Sequence, residues 1–157
     1  MRTPLLNAVI AAVMAWPYPR VLVPVDRLTK TIYLIDWRHA IRFGHTATAV
    51  EWIYGEYGPW SDEILDEIRL DGRHYTIIPR NTILKRPQFD IQYNGAAQVF
   101  IPPLTMSVID EVMQITHPMD WGEFLEFVYS TYPVASQMRN SSLDLGMLAP
   151  KRKMLSR

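Results

Sequence analysis

Asp26-Arg-Leu-Thr-Lys-Thr-Ile-Tyr-Leu-Ile-Asp-Trp-Arg-His-Ala-Ile-Arg-Phe-Gly44 is the stretch that decides how this chain folds. Asp26 is a good N-cap, because its side-chain oxygen can accept an amide proton of the first turn, and Gly44 can adopt the left-handed conformation that closes a helix. With residues spaced about 100° apart, Arg27, Thr31, Arg38 and Arg42 fall in one stripe. Leu28, Ile32, Ile35, His39 and Phe43 fill a wide opposing arc, and Leu34, Trp37 and Ile41 make the other flank apolar. A helix that is apolar over most of its circumference has to be surrounded. This one is predicted to be central, with only its arginines reaching solvent or a partner.

On its N-terminal side, Pro4 to Ala15 reads as a helix with proline in its first turn, where a missing amide proton costs nothing. The run Leu5–Trp16 behind Arg2 resembles the apolar core of a signal peptide, but it is too short to span a bilayer and Asn7 interrupts it. Lacking a small-x-small cleavage pattern, it is read as a buried first helix. Pro17 to Pro24 then forms an extended connection.

On the C-terminal side, Glu51 to Tyr57 is expected to be extended or irregular, with Gly58-Pro59 as a turn. Ser61 caps a helix from Asp62 to about Leu70, with Ile64, Leu65 and Ile68 inward and its acids outward. Between Gly72 and Arg86 the period shortens. Tyr75, Ile77 and Ile78 lead through Pro79-Arg80-Asn81 to Thr82, Ile83 and Leu84, a small hairpin in which Pro79 favours an edge or turn. Pro87 to Asn94 is read as loop and Ala97 to Ile101 as a third strand. Pro102-Pro103 opens a helix from Thr105 to Thr116, ended by Pro118. Asp120 and Glu123 form a capping box for a further helix whose Trp121, Phe124, Leu125, Val128 and Tyr129 share one face, with Pro133 as its stop. From about Met138 the apolar periodicity fades, so residues 138–157 are expected to be a mobile basic tail on a domain of residues 1–137.

These elements give a mainly α-helical α+β fold, a single compact domain of about five helices with a small β-hairpin or three-stranded sheet. A length of 157 residues with 48% hydrophobic and 20% charged residues suits one globular domain with a real core. There is no cysteine, which excludes disulfides, thiolate metal sites and a cysteine nucleophile and suits a reducing cytoplasm. Lys+Arg and Asp+Glu are both 16, so no general excess of positive charge draws the chain to nucleic acid. No membrane association is expected.

Catalytic signatures are lacking: no phosphate-binding glycine loop, no Gly-x-Ser-x-Gly and no His-Glu-x-x-His. Asp36, His39 and His45 are the one set that suggests a metal-dependent hydrolase, at weak spacing. The expectation is no metal, no cofactor and no enzyme. Asp36 lies among apolar neighbours and has to find partners, with Lys30, Arg73 or an amide of the Gly58-Pro59 turn as candidates. Glu51, Glu56, Asp62 and Glu63 read as a solvated face. The aromatic cluster Trp52, Tyr54, Tyr57 and Trp60 carries more weight, since tryptophan and tyrosine are frequent interface anchors. Trp60, Tyr57, Trp52, Arg27, Arg38 and Arg42 are therefore the candidates for contact with a partner protein.

The opening helix resembles that of the Panacea (SocA-like) domain, with Leu28-x-Lys30-x-x-Tyr33-Leu34-x-Asp36 running to Phe43-Gly44. Tyr57-Gly-Pro-Trp-Ser-Asp-Glu-Ile-Leu-Asp66 is similar to the family's Tyr-Gly-Pro-x-Ser stretch, and Leu104–Ile115 with Trp121–Tyr132 to its C-terminal half. The resemblance runs from about Leu5 to Pro133. Trp60 departs from it, standing where a small aliphatic residue is commoner. The resemblance implies an α-rich antitoxin that neutralises a cognate toxin, by masking it or by delivering it to a protease. Such domains also occur in phages and prophages, where the alternative is binding a host defence factor. Lys30, Tyr33, Asp36, Tyr57, Gly58, Pro59 and Ser61 match the motif, several of them in structural roles.

Overall fold

The computed structural model describes residues 4–16, 22–80, 88–95 and 100–152, and its centre is the helix predicted above. In chain order the elements are α1 (Pro4–Ala15), β1 (Leu22–Pro24), α2 (Val25–Phe43), β2 (Trp52–Gly55), β3 (Gly58–Trp60), α3 (Glu63–Leu70), β4 (Tyr75–Arg80), β5 (Gln88–Tyr93), α4 (Pro103–Thr116), α5 (Trp121–Ser130), α6 (Tyr132–Ser136), β6 (Ser142–Leu143) and α7 (Leu145–Lys151). The fold is α+β. Among the described residues there are seven helices rather than about five, and two three-stranded sheets rather than one. None of these helices is long and apolar enough to cross a membrane.

Helix α2 is buried along most of its length because α1, α4 and α7 all pack on it. Leu28, Ile32, Tyr33 and Ile35 are fully removed from solvent. Each such aliphatic side chain contributes about 1.5–3 kcal/mol relative to exposure, so this helix organises the core. Gly44 closes it as expected, at φ 83° with its amide donating to the Ala40 carbonyl. The start differs by two residues from the expected cap. Pro24, extended at φ −58° and ψ 138°, is the N-cap, and Asp26 lies buried inside the first turn. A carboxylate there still faces the positive end of the helix dipole.

The two sheets correct several sequence expectations. In the first, the order is β1-β5-β4 and all pairs are antiparallel. β4 pairs in full register with β5, from Tyr75 opposite Tyr93 to Arg80 opposite Gln88. Residues 88–93, read as loop, are thus the hairpin's second strand, whereas the expected strand 82–84 lies outside the described residues. Phe89, Ile91 and Tyr93 alternate with Gln88, Asp90 and Gln92, the period-2 signal of a strand, which the loop reading missed. The third strand is β1, drawn from the stretch expected only as a connection. Of the strand expected at 97–101, residues 97–99 lie outside the described residues and 100–101 are not in a strand. Pro79 does sit on an edge strand, β4, as its missing donor requires.

In the second sheet the order is β3-β2-β6. Gly58 and Pro59 are not the turn; they lie in β3, with Glu56 and Tyr57 turning the chain and Gly55 opposite Gly58. β3 is an edge strand, so Pro59 is tolerated there. Helix α3 begins one residue after the expected start, with the Ser61 hydroxyl accepting the Glu63 amide. The Asp120–Glu123 capping box on α5 forms in both directions. Pro133 is not the stop for α5. The chain turns extended at Thr131, and Pro133 lies in the first turn of α6.

The largest difference lies at the C-terminal end. Residues 138–152 do not separate from the domain. β6 pairs with β2, and α7, capped by the Asp144 side chain on the Met147 amide, packs on α2. Leu143, Leu145, Leu148 and Ala149 are all buried. These elements are too short for their apolar residues to form a visible period, and long-range packing supplies the stability that local propensity does not. Residues 153–157 lie outside the described residues.

Candidate functional site

Asp36 sits about two turns before the end of α2 and is fully buried. Its partners are neither Lys30 nor Arg73, nor an amide of residues 58–59. Oδ1 accepts the Ala47 and Thr48 amides at 2.9 and 3.0 Å, while Oδ2 accepts the Thr48 hydroxyl at 2.5 Å and the Trp52 indole N–H at 2.9 Å. Four donors fill the four acceptor positions of one carboxylate. Burial pushes its pKa from 3.8 up to about 6, outweighing the opposing pull of the Thr48 hydroxyl, the Trp52 N–H and the Thr48 and Ala47 amides. The arrangement ties the loop after α2 and strand β2 to the central helix.

Trp52 is consequently core. It is 1% exposed and stacks edge-on to Tyr33 at 5.7 Å between centroids, which removes it from the candidates for partner contact. Tyr33 is buried as well, sharing a 2.8 Å hydrogen bond with the Thr131 hydroxyl, and burial raises its pKa further than that bond lowers it. Two of the motif's three polar α2 residues therefore fasten β2 and the α5–α6 junction to α2.

The third, Lys30, leads toward the surface. It is buried, and its ammonium lies 5.7 Å from the centre of the Trp60 ring, within cation–π range. Gly58 closes over it with φ 104°; a Cβ added there would lie 3.2 Å from the Tyr129 hydroxyl and 3.3 Å from Lys30 Cε. Only glycine fits both the backbone conformation and the close approach. Outside this point Lys30, Gly55, Glu56, Tyr57 and Trp60 line a cavity of about 230 Å³.

The outer face of the β2–β3 hairpin is apolar. Ile53 and Trp60 are opposite one another across the ladder, so their side chains share a face. Ile53 is 46% exposed, Tyr57 at the turn is 47% exposed, and Trp60 is half-buried with its indole N–H donating to Asp62 at 2.9 Å. Two of the sequence candidates, Tyr57 and Trp60, thus come together. Ile53 was missed, although its alternation with the buried Trp52 and Tyr54 carried the signal.

The arginine stripe divides. Arg27 donates to the Thr116 and Met119 carbonyls at 2.9 and 3.0 Å, and its guanidinium lies 4.5 Å over the Phe124 ring. It caps the end of α4 and braces α5, so it is structural rather than a free contact surface. Arg38 and Arg42 are both exposed and both bind Glu111 of α4, a pairing that nothing in the sequence spacing reveals.

The metal constellation is not assembled. The two ring nitrogens of buried His39 meet the His45 carbonyl at 2.7 Å and the Thr105 hydroxyl at 2.9 Å, and burial lowers its pKa. Asp36 is taken up by Ala47, Thr48 and Trp52, and His45 is exposed. Among the described residues no group of three or more His, Asp or Glu side chains is placed to hold a metal ion.

In comparison with known proteins, the family model described as the antitoxin SocA-like, Panacea domain matches residues 28–133. The match begins at α2, not at Leu5 as the resemblance suggested, so α1 and the β6–α7 end lie outside it. No curated protein and no solved structure matches the chain.

Proposed function

Because the chain belongs to the antitoxin SocA-like Panacea family, whose model spans most of its length, we propose that it neutralises a cognate protein toxin by binding it directly. Membership supports a toxin–antitoxin type of role and a toxin partner in general. The outer face of the β2–β3 hairpin carries the more specific reading. There Ile53, Tyr57 and Trp60 offer an apolar patch beside a small cavity, with aromatic anchors of the kind that dominate protein interfaces. Trp60, the residue at which the chain departs from the family pattern, is part of that patch, which suits a surface that selects its own partner.

Co-expression tests this reading. A toxic product of a neighbouring reading frame should lose its toxicity when this chain is present and should co-purify with it. Toxin that disappears from the cell in a protease-dependent way would instead identify delivery for degradation. Rescue with neither a complex nor toxin loss would end the binding reading.

A further inference from the structure

A second apolar recess lies along the central helix. It encloses about 450 Å³, within the range of ligand-binding clefts of roughly 300–1,000 Å³. Leu34, Trp37 and Ile41 of α2 form one wall, Ile115 of α4 and Phe127 of α5 the other, and Arg152 after α7 closes one side. Ile115 is 40% exposed, so the apolar lining reaches the surface. From Leu34 to Ile41 the wall runs two turns, or about 10 Å. A helix presenting side chains at i, i+4 and i+7 spans the same length.

Charge specifies the occupant more closely. Arg38 lines the recess, Arg42 lies one turn further on, and both draw on the single carboxylate of Glu111. Lys151, next to Arg152 in the chain, is exposed at the end of α7. Among the described residues no acidic side chain lines the recess. The wall hydroxyls are already engaged, Ser130 with the Phe127 carbonyl and Thr131 with Val128 and Tyr33. Arg152 is the exception, because its Nε is buried with no hydrogen-bond partner among the described residues. A buried guanidinium donor left unpaired is costly, and a carboxylate is the acceptor that matches it.

We propose that this recess receives an acidic amphipathic helix of the partner protein, whose apolar face enters between α2, α4 and α5 and whose carboxylate pairs with Arg152. This rests on the antitoxin reading for the identity of the partner, and it names the chemistry of the toxin segment that is bound. The hairpin face and the recess are then two contacts, one aromatic and one apolar with a positive rim.

The test uses the full chain and two synthetic helical peptides of about four turns. Both carry leucines at i, i+4 and i+7; one is flanked by glutamates, the other by lysines. Titration followed by methyl NMR should shift Ile41, Val112 and Ile115 with the glutamate peptide. Arg152→Ala should weaken its binding roughly tenfold at unchanged melting temperature, the loss of one charge-assisted pair. The lysine peptide should bind at least about tenfold more weakly than the glutamate peptide, because it meets like charge. Equal binding of the two peptides, shifts that avoid these methyls, no binding, or no effect of Arg152→Ala would overturn the proposal. Ile115→Ser provides a second check, since it alters the exposed end of the lining and should weaken the glutamate peptide without unfolding the domain. These readouts need no toxin. A recess that binds as described in a chain that rescues no neighbouring toxic product would count against the antitoxin reading alone.

Discussion

The surroundings of Asp36 and the outer face of the β2–β3 hairpin lie on the same short stretch of chain and are built on opposite terms. Around Asp36 every polar atom is matched: four donors converge on two oxygens, with Trp52 and Tyr33 packed against them. On the hairpin's outer face Ile53 and Tyr57 are nearly half exposed. Substitution at the first should therefore be read out as lost stability and at the second as lost binding. The contrast also separates what the family motif encodes. Three residues that match it, Tyr33, Asp36 and Gly58, are engaged in packing and hydrogen bonds inside the fold.

Trp52→Ala should break the contrast most severely. It empties a fully buried site and removes one of Asp36's four donors, with a cost of about 3–5 kcal/mol expected for a buried tryptophan. Chemical denaturation measures it. A loss below about 1 kcal/mol would mean that the site collapses around the smaller side chain and that Trp52 is not a keystone of β2.

Asp36→Asn comes next, with a loss of about 1–3 kcal/mol at neutral pH. The amide oxygen can replace Oδ1, but the NH₂ group then faces the Trp52 N–H, donor against donor. The pH dependence sharpens this. Asp36 has its pKa raised in the fold, so the folded state holds a proton that the unfolded state has released between pH 3.8 and about 6. Stability contributed by that proton is complete below pH 3.8 and is lost as pH rises through about 6. The asparagine variant lacks this titration, so the gap between wild type and Asp36→Asn should narrow from pH 4 to pH 7. A gap that widens would show that the carboxylate is stabilised by its four donors more than burial penalises it.

Legibility follows the same division. The centrality of α2, its Gly44 stop and the Asp120–Glu123 box were readable because each is a local pattern with a local cause. β5 and the β6–α7 end were not. In β5 the apolar–polar alternation lasts only six residues, and in α7 only seven residues carry Leu145, Leu148 and Ala149 inward. Their order comes in part from partners far away in sequence, β1 for one and α2 for the other. Among the site candidates, Tyr57 and Trp60 lie beside the small cavity at the surface, whereas Trp52 is buried and Arg27 is engaged with the end of α4. A wheel shows that Arg27 leaves the apolar arc but not that two carbonyls at the end of α4 wait for it.

Arg27→Ala turns that distinction into a measurement. The Met119 carbonyl loses this donor, the Thr116 carbonyl keeps the Met119 amide, and Phe124 loses its cover, so a loss of about 1–2 kcal/mol is expected, within the range for hydrogen bonds from a charged group. Arg38→Ala should cost at most about 1 kcal/mol, because its ion pair with Glu111 is exposed. Equal effects would mean that the stripe acts as one surface after all.

Tyr57→Ala should have the smallest effect on stability and is the sharpest test of the hairpin. The side chain stands at the turn, 47% exposed, and Gly55 and Gly58 rather than Tyr57 supply the close backbone approach there. Surface substitutions away from caps and buried polar groups fall within about ±0.5 kcal/mol. If the outer face binds the toxin, affinity should nevertheless fall by about tenfold or more, since truncating an aromatic anchor commonly costs over 1 kcal/mol of binding. Melting temperature and pull-down of the toxin, measured on the same preparation, separate the two. Unchanged binding at unchanged stability would move the contact off the hairpin and leave the recess beside Arg152 as the surface that has to account for neutralisation.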